Sequence, residues 1–364
     1  MLLLRNSIQV YLFLSLLFSQ GTLNSFGIGN HQKWSSPSQG GIGSIGLVPS
    51  FQNEVSLSNP ATWSNLKFTH LSVSYNGLES KINKASNSFS NLQSAQLIIP
   101  IKQKYSLGIK LHPYAYQQVI LSDTLYDDIL VFKDTISIKK EYEQSGGIMA
   151  LDLSMSASLF KGNNVGLTMQ LLFGSSRQNN SLILNQIPYS QTSRLNYSGV
   201  NSSIYISQNS SLGNFYFKSS FSLNPLEAIY TKMYPYDDTN SNGYHDFAYN
   251  LLNPGYDFPH PNDVPDPVES RITSIYDQSL LGIGLSKNIF NRIQISGEFE
   301  RCKDNSSFDI LLPNSFNHRI KSNDNMSVGL IWYPNNLSYN FFDNLTIRSG
   351  VTFNRISFDQ YDIN

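Results

Sequence analysis

Met149-Ala-Leu-Asp-Leu-Ser-Met-Ser-Ala-Ser-Leu159 decides the fold. Read as a strand, it sends Met149, Leu151, Leu153, Met155, Ala157 and Leu159 to one side. Ala150, Asp152, Ser154, Ser156 and Ser158 go to the other, because successive side chains of a strand face opposite sides of the sheet. A soluble sandwich also alternates, but usually with shorter strands and more charge on the wet face. Here the run reaches the ~10 residues that cross a bilayer at a tilt. The reading is an all-β, antiparallel transmembrane β-barrel.

Further segments repeat the pattern. The first strand lies at 67–77 and the second at 92–100. The turn Pro100–Lys104 then leads into Tyr105, Leu107, Ile109 and Leu111, which alternate with Ser106, Gly108, Lys110 and His112. An excursion at about 118–143, with a strand-like piece at 131–139, precedes the quoted strand. The turn 161–164 returns it as Val165, Leu167, Met169, Leu171 and Phe173. Residues 199–208 turn at 209–213 into Phe215, Phe217, Phe221 and Leu223. Leu281, Ile283 and Leu285 turn at 287–291 into Ile293, Ile295 and Phe299. Met326, Val328, Leu330 and Trp332 precede the turn 334–343 and a strand with Leu345, Ile347, Val351 and Phe353. That makes about eleven strands. Short turns would face the periplasm and long loops the outside, and Tyr75, Tyr105, Phe173, Phe215, Trp332 and Phe353 would form an interfacial belt.

Composition agrees. Charged residues are 14 % of 364 and aromatics 13 %, with net charge −1, whereas about a quarter is charged in a usual soluble domain. Such a charge gives a nucleic-acid partner no electrostatic footing. The mean hydropathy of −0.24 fits lipid-facing residues offset by lumen and loop residues. Cys302 is the single cysteine, so no disulfide forms within the chain. Arg5, the apolar run Val10–Phe18 and Ser19-Gln20-Gly21 predict a secretory leader over 1–21 and export to the outer membrane. No other stretch approaches the length of a membrane-spanning helix.

Residues 22–65 are rich in Gly, Ser and Asn and follow neither period. They are expected to form an irregular plug-like segment ahead of a barrel over 66–364. Gly41-Ile-Gly-Ser-Ile-Gly46 matches the dinucleotide fingerprint, but a polar loop precedes it and Pro49 and Pro60 interrupt any following helix, so its context is wrong. The wider stretch is more telling. Gly40-Gly-Ile-Gly-Ser-Ile-Gly-Leu-Val48, an acidic residue at Glu54, then Leu57-Ser-Asn-Pro-Ala61 and a first strand resemble the start of mature FadL-type proteins. These are outer-membrane transporters of fatty acids and hydrocarbons, a superfamily that includes the shuttle barrel of type IX secretion. The resemblance implies a plug inside a fourteen-strand barrel, with Asn59, Pro60 and Ala61 at the plug–strand junction and Gly40, Gly41, Gly43 and Gly46 giving the plug mobility. It implies a monomer in outer-membrane lipid that passively takes up a hydrophobic small molecule. A non-transporting surface scaffold or shuttle for secreted proteins is the alternative.

Asp238, Asn240, Asn242 and Asp246, with the Tyr244 carbonyl, put oxygens at alternate positions around Gly243, which suits Ca²⁺. A solvated turn uses the same residues. His245 and His260, near Asp263 and Asp266, lack the spacing of a zinc site. For catalysis, His70 and His112 are assigned to inward faces among many serines, but no G-x-S-x-G elbow exists. The polar residues read as lumen lining, and the chain is not expected to be an enzyme.

The strand count is odd, and the chain ends on Asp359-Gln-Tyr-Asp-Ile-Asn364. The expectation is a barrel of 12–14 strands missing its last one to three, with strand eleven facing strand one across a gap; the alternative is one miscounted hairpin, with 129–139 as the candidate wall strand.

Overall fold

The structure is a computed structural model. It describes residues 27–31, 36–51, 54–82, 85–102, 104–122, 127–131, 134–160, 162–184, 187–237, 245, 249–250, 253–254, 257–289, 292–306, 318–334 and 341–360. The leader lies outside this set. The main strands are β2 (His70–Ile82), β3 (Ala85–Ile101), β4 (Tyr105–Ser122), β6 (Asp134–Phe160), β7 (Asn163–Leu184), β8 (Ile187–Ser210), β9 (Gly213–Lys232), β14 (Gln278–Ile289), β15 (Ile293–Asp304), β16 (His318–Trp332) and β17 (Ile347–Gln360). They pair in that order as one continuous antiparallel path of eleven strands. Each strand read from the sequence corresponds to one of them.

The smaller strands decorate this path. β1 (Asn30–His31) pairs β4, β5 (Asp127–Val131) pairs β6, β10 (Tyr236–Asp237) pairs β8, and β13 (Val268–Tyr276) pairs the far end of β9. β11 (Tyr249–Asn250) and β12 (Asn253–Pro254) pair each other. The strand-like 131–139 is therefore a hairpin extension, not a missed wall strand. Among the described residues no ladder joins β2 to β17, so the sheet is open and these two strands are its edges.

The faces sort as alternation demands. Leu153, Met155, Leu167, Met169, Ile204, Ile206, Phe217, Ile283, Leu285, Val328 and Leu330 are exposed on the outside, where lipid would cover them. The six belt aromatics are exposed on the same side. Gln96, Ser106, Asp152, Ser156, Thr168, Ser203, Ser207, Ser286, Gln294, Ser296 and Glu298 are buried inside.

One expectation needs correcting. The stretch 118–143 is not an excursion between strands, because β4 runs to Ser122 and β6 begins at Asp134 with 27 residues. The wall continues well beyond the bilayer, and there its character changes. Ala115, Ile148, Ala150, Leu172, Leu195, Tyr197, Leu226 and Ile275 form an apolar cluster inside, while Glu141 and Glu143 face outward on β6. With water outside instead of lipid, the apolar face must turn inward. A bulge at Pro113/Ala115 shifts the phase on β4, while on β8 the odd-numbered residues between 195 and 207 all stay inside and change from Ser203 and Ser207 to Leu195 and Tyr197.

Candidate functional site: a plugged lumen

Residues 36–51 and 54–66 fill the lumen at the lipid-facing level. The segment starts with a short helix, α1 (Pro37–Gly41), held by a capping box: Ser36 Oγ accepts from the Gln39 backbone N–H, and the Gln39 side chain accepts from Ser36 N–H. Ile42, Leu47 and Val48 then pack with Ala61, Tyr205, Tyr216 and Ile331. Val55, Leu57, Trp63 and Leu66 pack with Ile98. Each such side chain contributes about 1.5–3 kcal/mol when fully buried.

Asn59-Pro60-Ala61 opens a 3₁₀ helix over Pro60–Asn65. Asn59 Oδ1 accepts from Ala61 N–H at 3.1 Å, and Pro60 occupies the first turn, where no N–H is missed. The Asn59 amide also donates to Leu47 O at 2.8 Å, tying the Gly-rich stretch to this helix. Ala61 is fully buried against the wall, its carbonyl accepting from Ser207 Oγ at 3.2 Å. The expected junction residues are thus brought together, as a structural staple.

Two of the four glycines have positive φ, Gly43 at 62° and Gly46 at 119°. A Cβ on Gly43 would sit 2.7 Å from Thr352 Oγ1, which donates to Gly43 O at 2.6 Å. Gly41 lies against the Arg348 side chain. Gly40 closes the turn of α1, its carbonyl accepting from Gly43 N–H at 3.1 Å. Gly41 and Gly43 let the plug approach β17 closely, while Gly46 packs against Ser58 within the plug.

The wall carries the complementary feature, which the sequence reading missed. Inward glycines line the seat: a Cβ on Gly108 would strike the Trp63 ring, one on Gly166 would lie 2.6 Å from Ala61 N, and one on Gly350 would collide with the Ile42 carbonyl. Inward Gln96 and Gln294 donate to Leu57 O and Pro49 O at 2.8 and 3.0 Å. The strongest tie is Glu298 on β15. Its buried carboxylate accepts from Val48 N–H at 2.6 Å, Ser44 Oγ at 2.9 Å and Ser327 Oγ at 3.3 Å, and also from Ile45 N–H. Four donors thus converge on one side chain of the wall, three of them from the plug. The signal for it was an acid on a strand face otherwise lined by Ser and Gln.

Above the plug lies a chamber of about 150 Å³. Ile45 and Ser58 form its floor and His31, Tyr114 and Tyr276 its roof, with Lys110, His112, Asp152, Lys218 and Glu300 around the sides. Asp152 accepts from Lys110 Nζ at 3.0 Å and Gln170 Nε2 at 2.8 Å, and meets His112 Nε2 at 3.1 Å. Lys218 pairs Glu300 at 3.3 Å. His112 Nδ1 is held by Pro113 O at 3.0 Å, so both ring nitrogens are engaged within the wall. His70 instead packs on Phe51, with ring centroids 4.7 Å apart. The two histidines assigned to inward faces are not brought together.

Asp238, Asn240, Asn242 and Asp246, the calcium candidates, lie outside the described residues. His245 stacks on Tyr236, and His260 caps the turn at Pro261–Asp263. Among the described residues, no three His, Cys, Asp or Glu side chains are grouped to hold a metal.

The family model described as BamG matches residues 7–362. The chain belongs to the BamG family. No curated protein matches this BamG-family chain. Solved structures similar to it include the toluene transporter TbuX of Ralstonia pickettii, with a TM-score of 0.46 and 10 % identity over 89 % of this chain and 87 % of that one. The toluene transporter TodX of Pseudomonas putida gives 0.38 and 11 % over 91 % and 82 %. The translocator domain of the autotransporter NalP from Neisseria meningitidis gives 0.34 and 8 % over 74 % and 76 %. In this BamG-family barrel the Gly-rich stretch and Asn59–Ala61 form a plug within an antiparallel wall, the arrangement that the FadL-type resemblance implies.

Proposed function

We propose that the protein is a plugged, non-conducting outer-membrane barrel that serves as a surface scaffold for secreted or surface proteins. The observation that carries this is the way the lumen is filled. The plug's buried backbone is tied by Gln96, Ser207, Gln294 and Glu298 to three separate wall strands, β3, β8 and β15. Moving it would strand several buried polar groups at about 1–3 kcal/mol each. The chamber above is lined by ion pairs, and an apolar solute passing there would have to displace their solvation without replacing it. The wall standing beyond the bilayer gives such a scaffold its working surface.

Uptake of a hydrophobic small molecule is the second reading, and a lipid-side groove favours it. Ile206, Phe215, Phe217, Ile283, Leu285, Phe299, Met326 and Val328 surround Gly297, which leaves a dent in the wall. In that reading the plug would rearrange about Gly40, Gly41, Gly43 and Gly46. Uptake of radiolabelled fatty acid or hydrocarbon by a deletion strain separates the two. The scaffold reading expects unchanged uptake and a loss of surface-displayed proteins. Lost uptake with an intact surface would overturn it.

A further inference from the structure

Far out on the wall, Tyr189 of β8 pairs Asp237 of β10, and Asp237 forms an antiparallel bridge to Phe258. Directly opposed residues of antiparallel strands project on the same face. Tyr189, Asp237 and Phe258 therefore stand side by side, a carboxylate flanked by two rings. Tyr189 is 41 % exposed and Phe258 71 %. Such exposure is expected of a lipid-facing ring, but Tyr189 lies ~50 Å along β8 from the lipid-facing Ile204, at ~3.3 Å per residue.

The strip is held in place from behind. Asp237 N–H donates to Phe258 O at 2.8 Å, and Asp237 Oδ1 accepts from Phe258 N–H. On the opposite face Tyr236 is buried, its hydroxyl 2.9 Å from Thr192 Oγ1. The Tyr236 ring stacks on His245 at 4.6 Å, and His245 Nε2 meets Pro259 O at 2.7 Å. An exposed aromatic fixed by this much backing loses little entropy on binding.

The surrounding sequence sets the sign of the partner. Between Met233 and Ser270 the chain carries Asp237, Asp238, Asp246, Asp257, Asp263, Asp266 and Glu269 and no Lys or Arg. The basic residues flanking the strip, Arg194 and Lys232, sit four to five residues inward along β8 and its pairing with β9, and Arg271 is engaged by Glu227 at 2.7 Å. Ring faces attract ammonium and guanidinium groups, and the carboxylate between them adds a charge-assisted acceptor. An open sheet face suits a polypeptide more than a small solute, which needs a pocket.

We propose that Tyr189, Asp237 and Phe258 form a docking surface for a Lys/Arg-bearing segment of a partner protein at the cell surface. It rests on the scaffold reading above. The test uses the full chain in detergent and a fluorescein-labelled Lys/Arg-rich octapeptide, with binding read by anisotropy at physiological salt. Phe258→Ala and Tyr189→Ala leave the charge unchanged, and Asp237→Asn keeps the acceptor for Phe258 N–H. Each is expected to weaken binding about fivefold or more, with heat-modifiable gel mobility as in the wild type and no binding of the Glu-substituted peptide. Wild-type affinity in Phe258→Ala and Tyr189→Ala would show attraction by net charge only and would overturn the proposal. That failure would leave the scaffold reading standing. Unchanged surface display in the deletion strain, with peptide binding that still needs Phe258, would sink the scaffold reading alone.

Discussion

Glu298 concentrates the argument for a fixed plug in one side chain. A buried carboxylate costs several kcal/mol unless donors satisfy it, and four donors converge here, three of them from the plug. Glu298→Ala leaves the Ile45 and Val48 N–H groups without their acceptor, at about 1–3 kcal/mol for each unsatisfied group. The expected outcome is a lower temperature for loss of the folded band on unboiled gels, together with new protease cleavage between residues 36 and 58. An unchanged folded band and an uncut plug would show that Glu298 does not hold it. This residue was hidden in the sequence because alternation says only that it faces inward. Asn59, Pro60 and Ala61 were legible as a motif, but their job was not. That Asn59 caps a turn and ties back to Leu47 depends on the fold of residues between them. The capping box of Ser36 and Gln39 was readable as S-x-x-Q, yet it sits in a helix too short to show any period.

The strands were the most legible elements. Period-two patterning located all eleven wall strands because lipid outside and a polar lumen inside impose opposite demands on alternate residues. Where the wall leaves the bilayer those demands reverse. Glu141 and Glu143 then face water while Ile148 and Ala150 pack inside, so the same strand loses its signature and 118–143 reads as loop. Gly108 was placed on the inward face, but its role, like that of Gly166 and Gly350, escaped notice, since glycine on a wet face looks like ordinary small lumen lining. Only the plug's proximity gives them meaning. The strand reading makes a sharp prediction for β6. Leu153 is outward and 41 % exposed, whereas its neighbour Asp152 is buried inside. Leu153→Arg should cost about 2–4 kcal/mol in a lipid bilayer, seen as a lower midpoint in denaturant-induced unfolding from lipid vesicles. A midpoint equal to wild type would place Leu153 outside the hydrocarbon.

Taken whole, the molecule joins two regimes in one sheet. The lower part is greasy outside and polar within, filled by residues 36–51 and 54–66. The upper part carries its own apolar cluster and an aromatic–carboxylate strip on a wall that water surrounds. The open seam between β2 and β17 was anticipated from the strand count, and both edges are present among the described residues. What the sequence left undecided was whether the lumen is a path or a filling, because that depends on hydrogen bonds between segments some 250 residues apart, such as Glu298 and Val48. The claim that it is a filling is tested most directly by ion conductance of the purified full chain in planar lipid bilayers. The account predicts no steady conductance from the wild type and channel openings from Glu298→Ala. A stable conductance from the wild-type protein, unchanged by Glu298→Ala, would contradict it.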